Sequence, residues 1–216
     1  MRVHFAICYW EGDWRSVPRL YREIRSLFPD ASIALIPDGL TPLPNTIEPI
    51  RLKPIDGGAW LHRIFKTCPD GCDLFCKVEP DITIRRVPTF PDAEWFGHLS
   101  EPYGAVRPLL RGGFWGFKRE VVQMILESLI LHDVEYLREF NKYDRYGRFI
   151  LPGEEPAPMI YHCDTIMASV MSRLEIPPTP WDEIYLKFRE PLPEDVDRYA
   201  VATIGWMVAG GGWLLR

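Results

Sequence analysis

Apolar positions fall in short blocks separated by turn residues. Val3-His4-Phe5-Ala6-Ile7-Cys8-Tyr9 is a β-rich run interrupted only by His4, the pattern of a strand covered on both faces. An aromatic and acidic loop follows (Trp10, Glu11, Gly12, Asp13, Trp14). Ser16 then reads as the cap of a helix with Pro18 in its first turn and Leu20, Ile24, Leu27 and Phe28 along one side. Pro29-Asp30 stops it. Ser32 to Ile36 predicts a second strand ended by Pro37-Asp38-Gly39, and Ile50-Arg51-Leu52 a third. Gly57-Gly58 opens a helix over Ala59 to Lys66, and Leu74 to Val78 is another buried strand that runs into Glu79-Pro80-Asp81. Strand and helix alternate through this half, which implies a mostly parallel, twisted central sheet with helices on both faces.

The second half is less regular. Glu94 to Leu99 predicts a strand. Arg111-Gly112-Gly113-Phe114-Trp115-Gly116-Phe117 is a glycine-aromatic run leading into a helix from about Arg119 to Leu131. Further helices are expected over Glu135 to Tyr146 and Asp164 to Leu174, with a proline-rich loop from Pro152 to Pro158 between them. Tyr199 to Leu215 has no charged residue, but it is shorter than the roughly 20 apolar residues of a spanning helix and carries four glycines. A buried strand, a glycine-rich turn and a last short strand fit it better, so no transmembrane segment is expected.

Composition adjusts this picture at a few points. At 216 residues with 47% hydrophobic and 25% charged positions, the chain is expected to be one α/β domain, 1–216. Its 21 prolines, about twice the usual share, call for many irregular connections. A net charge of −5 gives no positive field to hold a polyanion, so nucleic acid is not an expected partner. Five cysteines are an odd number, and the N-terminus lacks the small-residue cleavage site of a secretion signal. Both point to free thiols and a cytoplasmic location. Cys68, Cys72 and Cys76 are spaced by four, but Pro69 and Gly71 break any helix there and Cys76 lies within a strand, which argues against structural zinc. No Gly-x-Gly-x-x-Gly, P-loop, Gly-x-Ser-x-Gly or His-Glu-x-x-His occurs.

The candidate chemistry centres on Glu79 and Asp81. Ligands of open α/β sheets bind beyond the carboxyl ends of the strands. Two carboxylates one residue apart in an extended segment would project to the same side, where they could hold Mn2+ or Mg2+ with positions left for phosphate oxygens. Gly58 permits close backbone approach, and Arg63, with Lys66 one turn on, could neutralise phosphate. Asp164, preceded by His162, is a candidate general base at a helix start, where the macrodipole alone would also favour a carboxylate. Phe114, Trp115 and Phe117 could form a flat wall on which a sugar stacks, with Gly112, Gly113 and Gly116 allowing close approach.

The order of these parts resembles the nucleotide-sugar-dependent glycosyltransferases of the GT-A fold. Leu74 to Asp81 looks like their Asp-x-Asp strand, with Glu79 in place of the first aspartate. Gly112 to Phe117 resembles their acceptor-side glycine-aromatic segment, and Tyr161-His162-Cys163-Asp164 their later acidic segment. The resemblance runs from about residue 3 to 175 and implies a GT-A-like, Rossmann-like domain, with a nucleotide-binding half (1–82) and an acceptor-binding half (83–216). It also implies a metal held by Glu79 and Asp81, nucleotide contacts from Trp10, Asp13, Asp38, Gly58 and Arg63, and an acceptor side built from Gly113, Phe114, Trp115, His162 and Asp164. The partners would be a nucleotide-diphosphate sugar and a glycan, glycolipid or protein acceptor, with peripheral contact to a membrane if the acceptor is lipid-linked. Two alternatives keep the fold: an inactive carbohydrate- or partner-binding module, and a sugar-phosphate nucleotidyltransferase. The second usually has a basic, glycine-rich first loop, whereas Trp10 to Trp14 is acidic and aromatic.

Overall fold

In the computed structural model the described residues are 1–9, 14–37, 56–99, 110–133, 136, 163–186, 195–203, 207–208 and 212–213. The expected strand at Ile50 to Leu52, the helix from Glu135 to Tyr146 and the proline-rich loop fall wholly or almost wholly outside them. The central sheet has six strands: β1 (Val3–Tyr9), β2 (Ser32–Pro37), β3 (Leu74–Val78), β5 (Trp95–Leu99), β6 (Leu110–Lys118) and β7 (Thr179–Pro180). Their spatial order is β2-β1-β3-β6-β5-β7. β1 pairs in parallel with β2 and β3, whereas β6 runs antiparallel to both of its neighbours, β3 and β5. Only β6 is reversed, so the sheet is mostly parallel, as its strand-helix alternation predicts.

Among the described residues, the sheet is covered by α1 (Val17–Leu27), α2 (Asp56–Phe65), α3 (Arg119–Glu127) and α4 (Cys163–Arg173). Strand alternation divides the core. On one face Ala6, Cys8, Phe75, Trp115 and Phe117 pack against α2, α3 and α4 through Leu61, Phe65, Val122, Ile125, Met167 and Val170. On the other, Phe5, Ile7, Cys76, Val78 and Phe114 pack against Leu20 and Ile24 of α1. That second face also packs against a small sheet of β4 (Ile82–Ile84), β9 (Val201–Thr203) and β8 (Ile184–Tyr185), in the order β4-β9-β8. β10 (Met207–Val208) and β11 (Gly212–Trp213) pair antiparallel, while the glycine-rich turn expected between them lies outside the described residues. No helix among the described residues is long and apolar enough to cross a membrane.

Two local readings are corrected. Ser16 lies at the end of a short 3-10 turn (Trp14–Ser16) in helical backbone and makes no side-chain capping bond; Pro18 does sit in the first turn of α1. The glycine-aromatic run, read from the sequence as a flat surface ahead of a helix, lies within β6. β3 and β5 flank Trp115 to Phe117, and the aromatic rings of the run alternate between the two halves of the core.

Candidate functional site

Because β1, β2 and β3 are parallel, their carboxyl ends share one edge of the sheet. The crossover from β2 through α2 to β3 brings the start of α2 to that edge. Reversed β6 contributes its amino end there, so that Val78 pairs with Phe114 and the Glu79 N–H donates to the Gly113 carbonyl at 2.9 Å. The strand then turns: Ile82 N–H bonds the Glu79 carbonyl at 3.3 Å, and β4 begins. Glu79 and Asp81 are thus the first and third residues of a tight turn rather than alternate positions of an extended strand, which corrects the geometric premise read from the sequence.

That turn is fixed from behind by α1. The Arg19 guanidinium donates to the Pro80 carbonyl at 2.7 Å and to the Ile82 carbonyl at 2.6 Å. The same side chain is paired with Glu23 at 2.6 Å, and Glu23 accepts from the Ile84 N–H and the Thr83 hydroxyl. One guanidinium nitrogen, Nη2, holds both carbonyls, while the other, Nη1, pairs with Glu23, so a single side chain ties the turn to α1.

The unexpected member of the site is Lys77. It lies on β3 between Phe75 and Glu79 on the face covered by α2 to α4, and it is 1% exposed. Its ammonium donates to Glu79 Oε1 and to the Gly112 carbonyl, and it sits 4.9 Å from the centre of the Trp115 ring. A buried ammonium is tolerated only when paired and hydrogen-bonded, and here a carboxylate, a carbonyl and an aromatic face share that task. Gly112 is also bound from the other side. Its N–H donates to Asp164 Oδ2 at 3.0 Å, and Asp164 lies in the first turn of α4. A Cβ at Gly112 would overlap Asp164 Oδ1, so the close approach requires glycine. Glu79, Lys77, Gly112, Gly113 and Asp164 therefore form one connected constellation at the carboxyl edge of the sheet.

The remaining candidates divide. Gly58 is buried near the start of α2, but Arg63 is exposed in the last turn of that helix. At 1.5 Å per residue Arg63 lies about 10 Å along the axis from the helix start, which removes it from the edge. Phe114 and Trp115 are 1% and 0% exposed, with Phe114 5.2 Å from Trp181 and the Trp115 indole N–H donating to the Leu110 carbonyl at 3.2 Å. They are core residues with no open face for a sugar, because both faces of β6 are covered. Trp10, Asp13, Asp38 and His162 lie outside the described residues. The sequence reading passed over Lys77, Arg19 and Glu23. A lysine inside an otherwise apolar strand was the available signal for the first; nothing local marks the other two.

As a metal site the edge offers two carboxylates, hard oxygen ligands of the kind that Mn2+ and Mg2+ take, and Asp81 Oδ1 is buried. Among the described residues no third His, Cys, Asp or Glu joins them, so water and phosphate oxygens would complete a shell. In donor chemistry the two carboxylates suit such an ion, and Lys77 already engages Glu79.

The fold and this edge define an α/β domain of the Rossmann-like kind with one reversed strand beside the site. No protein-family model matches the chain, and no curated protein matches it in sequence. Among solved structures, a glycosyltransferase involved in the glycosylation of the major capsid of PBCV-1 is similar in fold. Its TM-score is 0.53 at 10% identity, over 94% of this chain and 93% of that one.

Proposed function

We propose that the protein transfers a sugar from a nucleotide-diphosphate sugar to an acceptor hydroxyl, with Mn2+ or Mg2+ at Glu79 and Asp81. The observation that carries this reading is the joining of a strand-end carboxylate, Glu79, to a helix-start carboxylate, Asp164, across Gly112 at the sheet's carboxyl edge. The shared fold with a glycosyltransferase supports it. When bound, a divalent ion supplies charge stabilisation for the departing nucleoside diphosphate. Glu79 and Asp81 hold the donor side, and Arg19 keeps their turn in place. Asp164 is the acceptor-side carboxylate, oriented by the Gly112 N–H to take the proton of the incoming hydroxyl.

A thermal-shift panel of nucleoside diphosphates and nucleotide sugars, with and without Mn2+ or Mg2+, tests this. A ligand at 100 times its Kd adds about 2.7 kcal/mol. The expected result is a shift with one nucleotide that requires the metal and disappears in Asp81→Ala. No shift with any nucleotide, in a protein that melts cooperatively, overturns the reading. The Lys77–Glu79 pair specifically favours a second one, because it neutralises one of the two carboxylates: a carbohydrate-binding module. Sugar binding with no release of nucleoside diphosphate would select that alternative.

A further inference from the structure

Lys77 costs the fold desolvation that an apolar residue at the same core position would avoid. Replacing buried ion pairs by apolar residues is often neutral or stabilising, so stability alone does not account for an ammonium in the middle of the sheet. Its bonds, moreover, connect Glu79 to Asp164 through Gly112. Glu79 Oε1 accepts on one side and the Gly112 carbonyl on the other, and the N–H of that same Gly112 holds Asp164 Oδ2. The Trp115 ring, which pairs with Lys77 across the β3–β6 ladder, closes the remaining side.

We infer that Lys77 is a positioning residue that couples the donor-side carboxylate Glu79 to the acceptor-side carboxylate Asp164 through the backbone of Gly112. The roles of the two carboxylates rest on the transferase reading, but the coupling itself does not. Anchored by Lys77, the Gly112 carbonyl fixes the direction of the first residues of β6, so the N–H offered to Asp164 has one orientation. Movement of Glu79 is thereby transmitted to Asp164 through Lys77 and Gly112.

Amide hydrogen exchange at Gly112 gives a readout independent of turnover. Lys77→Met keeps the length of the side chain and removes its charge. It should speed exchange at Gly112 about tenfold while the amides of Phe75 and Phe117, farther along the same ladder, keep their protection; a general loosening of the sheet would speed all three. Turnover should fall about 100-fold with the donor KM little changed, and the same substitution should do little more in an Asp164→Asn background. Unchanged exchange at Gly112 in a cooperatively melting Lys77→Met protein overturns the inference, as do fully additive losses. If Lys77→Met does not fold, a cycle of Glu79→Gln with Asp164→Asn decides: coupling of about fivefold or more supports the bracket, and additivity overturns it. Failure of every nucleotide to bind would sink the transferase reading alone, since exchange at Gly112 still reports on Lys77.

Discussion

His4 and Lys77 are both buried polar residues on adjacent central strands, and the sheet treats them in opposite ways. His4 is 4% exposed near the amino edge, where its ring stacks 5.4 Å from Phe75. Its Nδ1 lies 2.7 Å from the Ser32 hydroxyl and its Nε2 3.2 Å from the Thr67 hydroxyl. Since Thr67 donates its proton to the Ile64 carbonyl, Nε2–H donates to Thr67 and Nδ1 accepts from Ser32. Every partner is neutral, and burial pushes the His4 pKa down to about 4. Lys77 instead keeps a carboxylate, a carbonyl and an aromatic face around an ammonium. The closed end of the sheet removes charge, and the open end pairs it. Neutralisation suffices at the first end; a retained charge pair sits at the end where the proposed function needs its carboxylates.

The largest effect that this contrast predicts is at the open end. Asp164→Asn should lower turnover by about 10³-fold, as loss of a general base does, while the melting midpoint stays close to that of the parent. Release of nucleoside diphosphate and a melting curve on the same preparations would measure both. A matching loss of stability would erase the distinction between the two ends. Next is His4. The unfolded state takes up a proton near pH 6.5 and the folded state near pH 4, so stability is fully present above pH 6.5 and is lost as pH falls through that window. The loss approaches about 3 kcal/mol at 1.36 kcal/mol per pKa unit. Urea unfolding at several pH values should show it in the parent and not in His4→Gln. An equal pH slope in both would mean that other groups dominate.

The same substitution at two glycines of β6 sharpens the comparison. A Cβ at Gly112 meets Asp164, whereas a Cβ at Gly116 meets the ring of Phe96, which is fully buried. Gly116→Ala overpacks the core and should cost about 1–3 kcal/mol, with turnover preserved in the folded fraction. Gly112→Ala should do the reverse, lowering turnover on the order of 10²-fold by displacing the carboxylate. Denaturant titration and steady-state assays of the pair would expose any mixing of the two effects.

Much of this arrangement was legible because the apolar blocks are short and well punctuated. Val3 to Tyr9 and Leu74 to Val78 are strands because parallel strands covered on both faces need continuous apolar runs, and Ser32 to Ile36, partly exposed at the sheet's edge, is bounded by turn residues. The carboxylates at the end of Leu74 to Val78 were visible for the same reason. Phe114 and Trp115 misled because glycines beside aromatics look alike in a binding loop and in a packed strand. Only the pairing of β6 with both β3 and β5 reveals that no face is open. Lys77 was passed over because its meaning depends on Gly112, 35 residues away. Arg19 was illegible for a similar reason, since the carbonyls that it holds at Pro80 and Ile82 carry no side-chain signature.

The smallest expected effect lies outside both ends of the sheet. Lys118 and Asp92 form an ion pair at 2.5 Å, with their side chains 41% and 93% exposed. The Lys118 ammonium hydrogen-bonds Asp92 and lowers its pKa, and Asp92 in turn raises that of Lys118. By geometry this pair looks as good as the one at Lys77. Solvent, however, screens both charges and hydrates them when they separate, so the attraction is nearly cancelled. Lys118→Ala should therefore leave both the melting midpoint and the turnover unchanged within error at physiological salt. A clear loss of either would mean that short distance, rather than burial, governs what a charge pair does in this protein, and the contrast drawn between the two ends of the sheet would lose its physical basis.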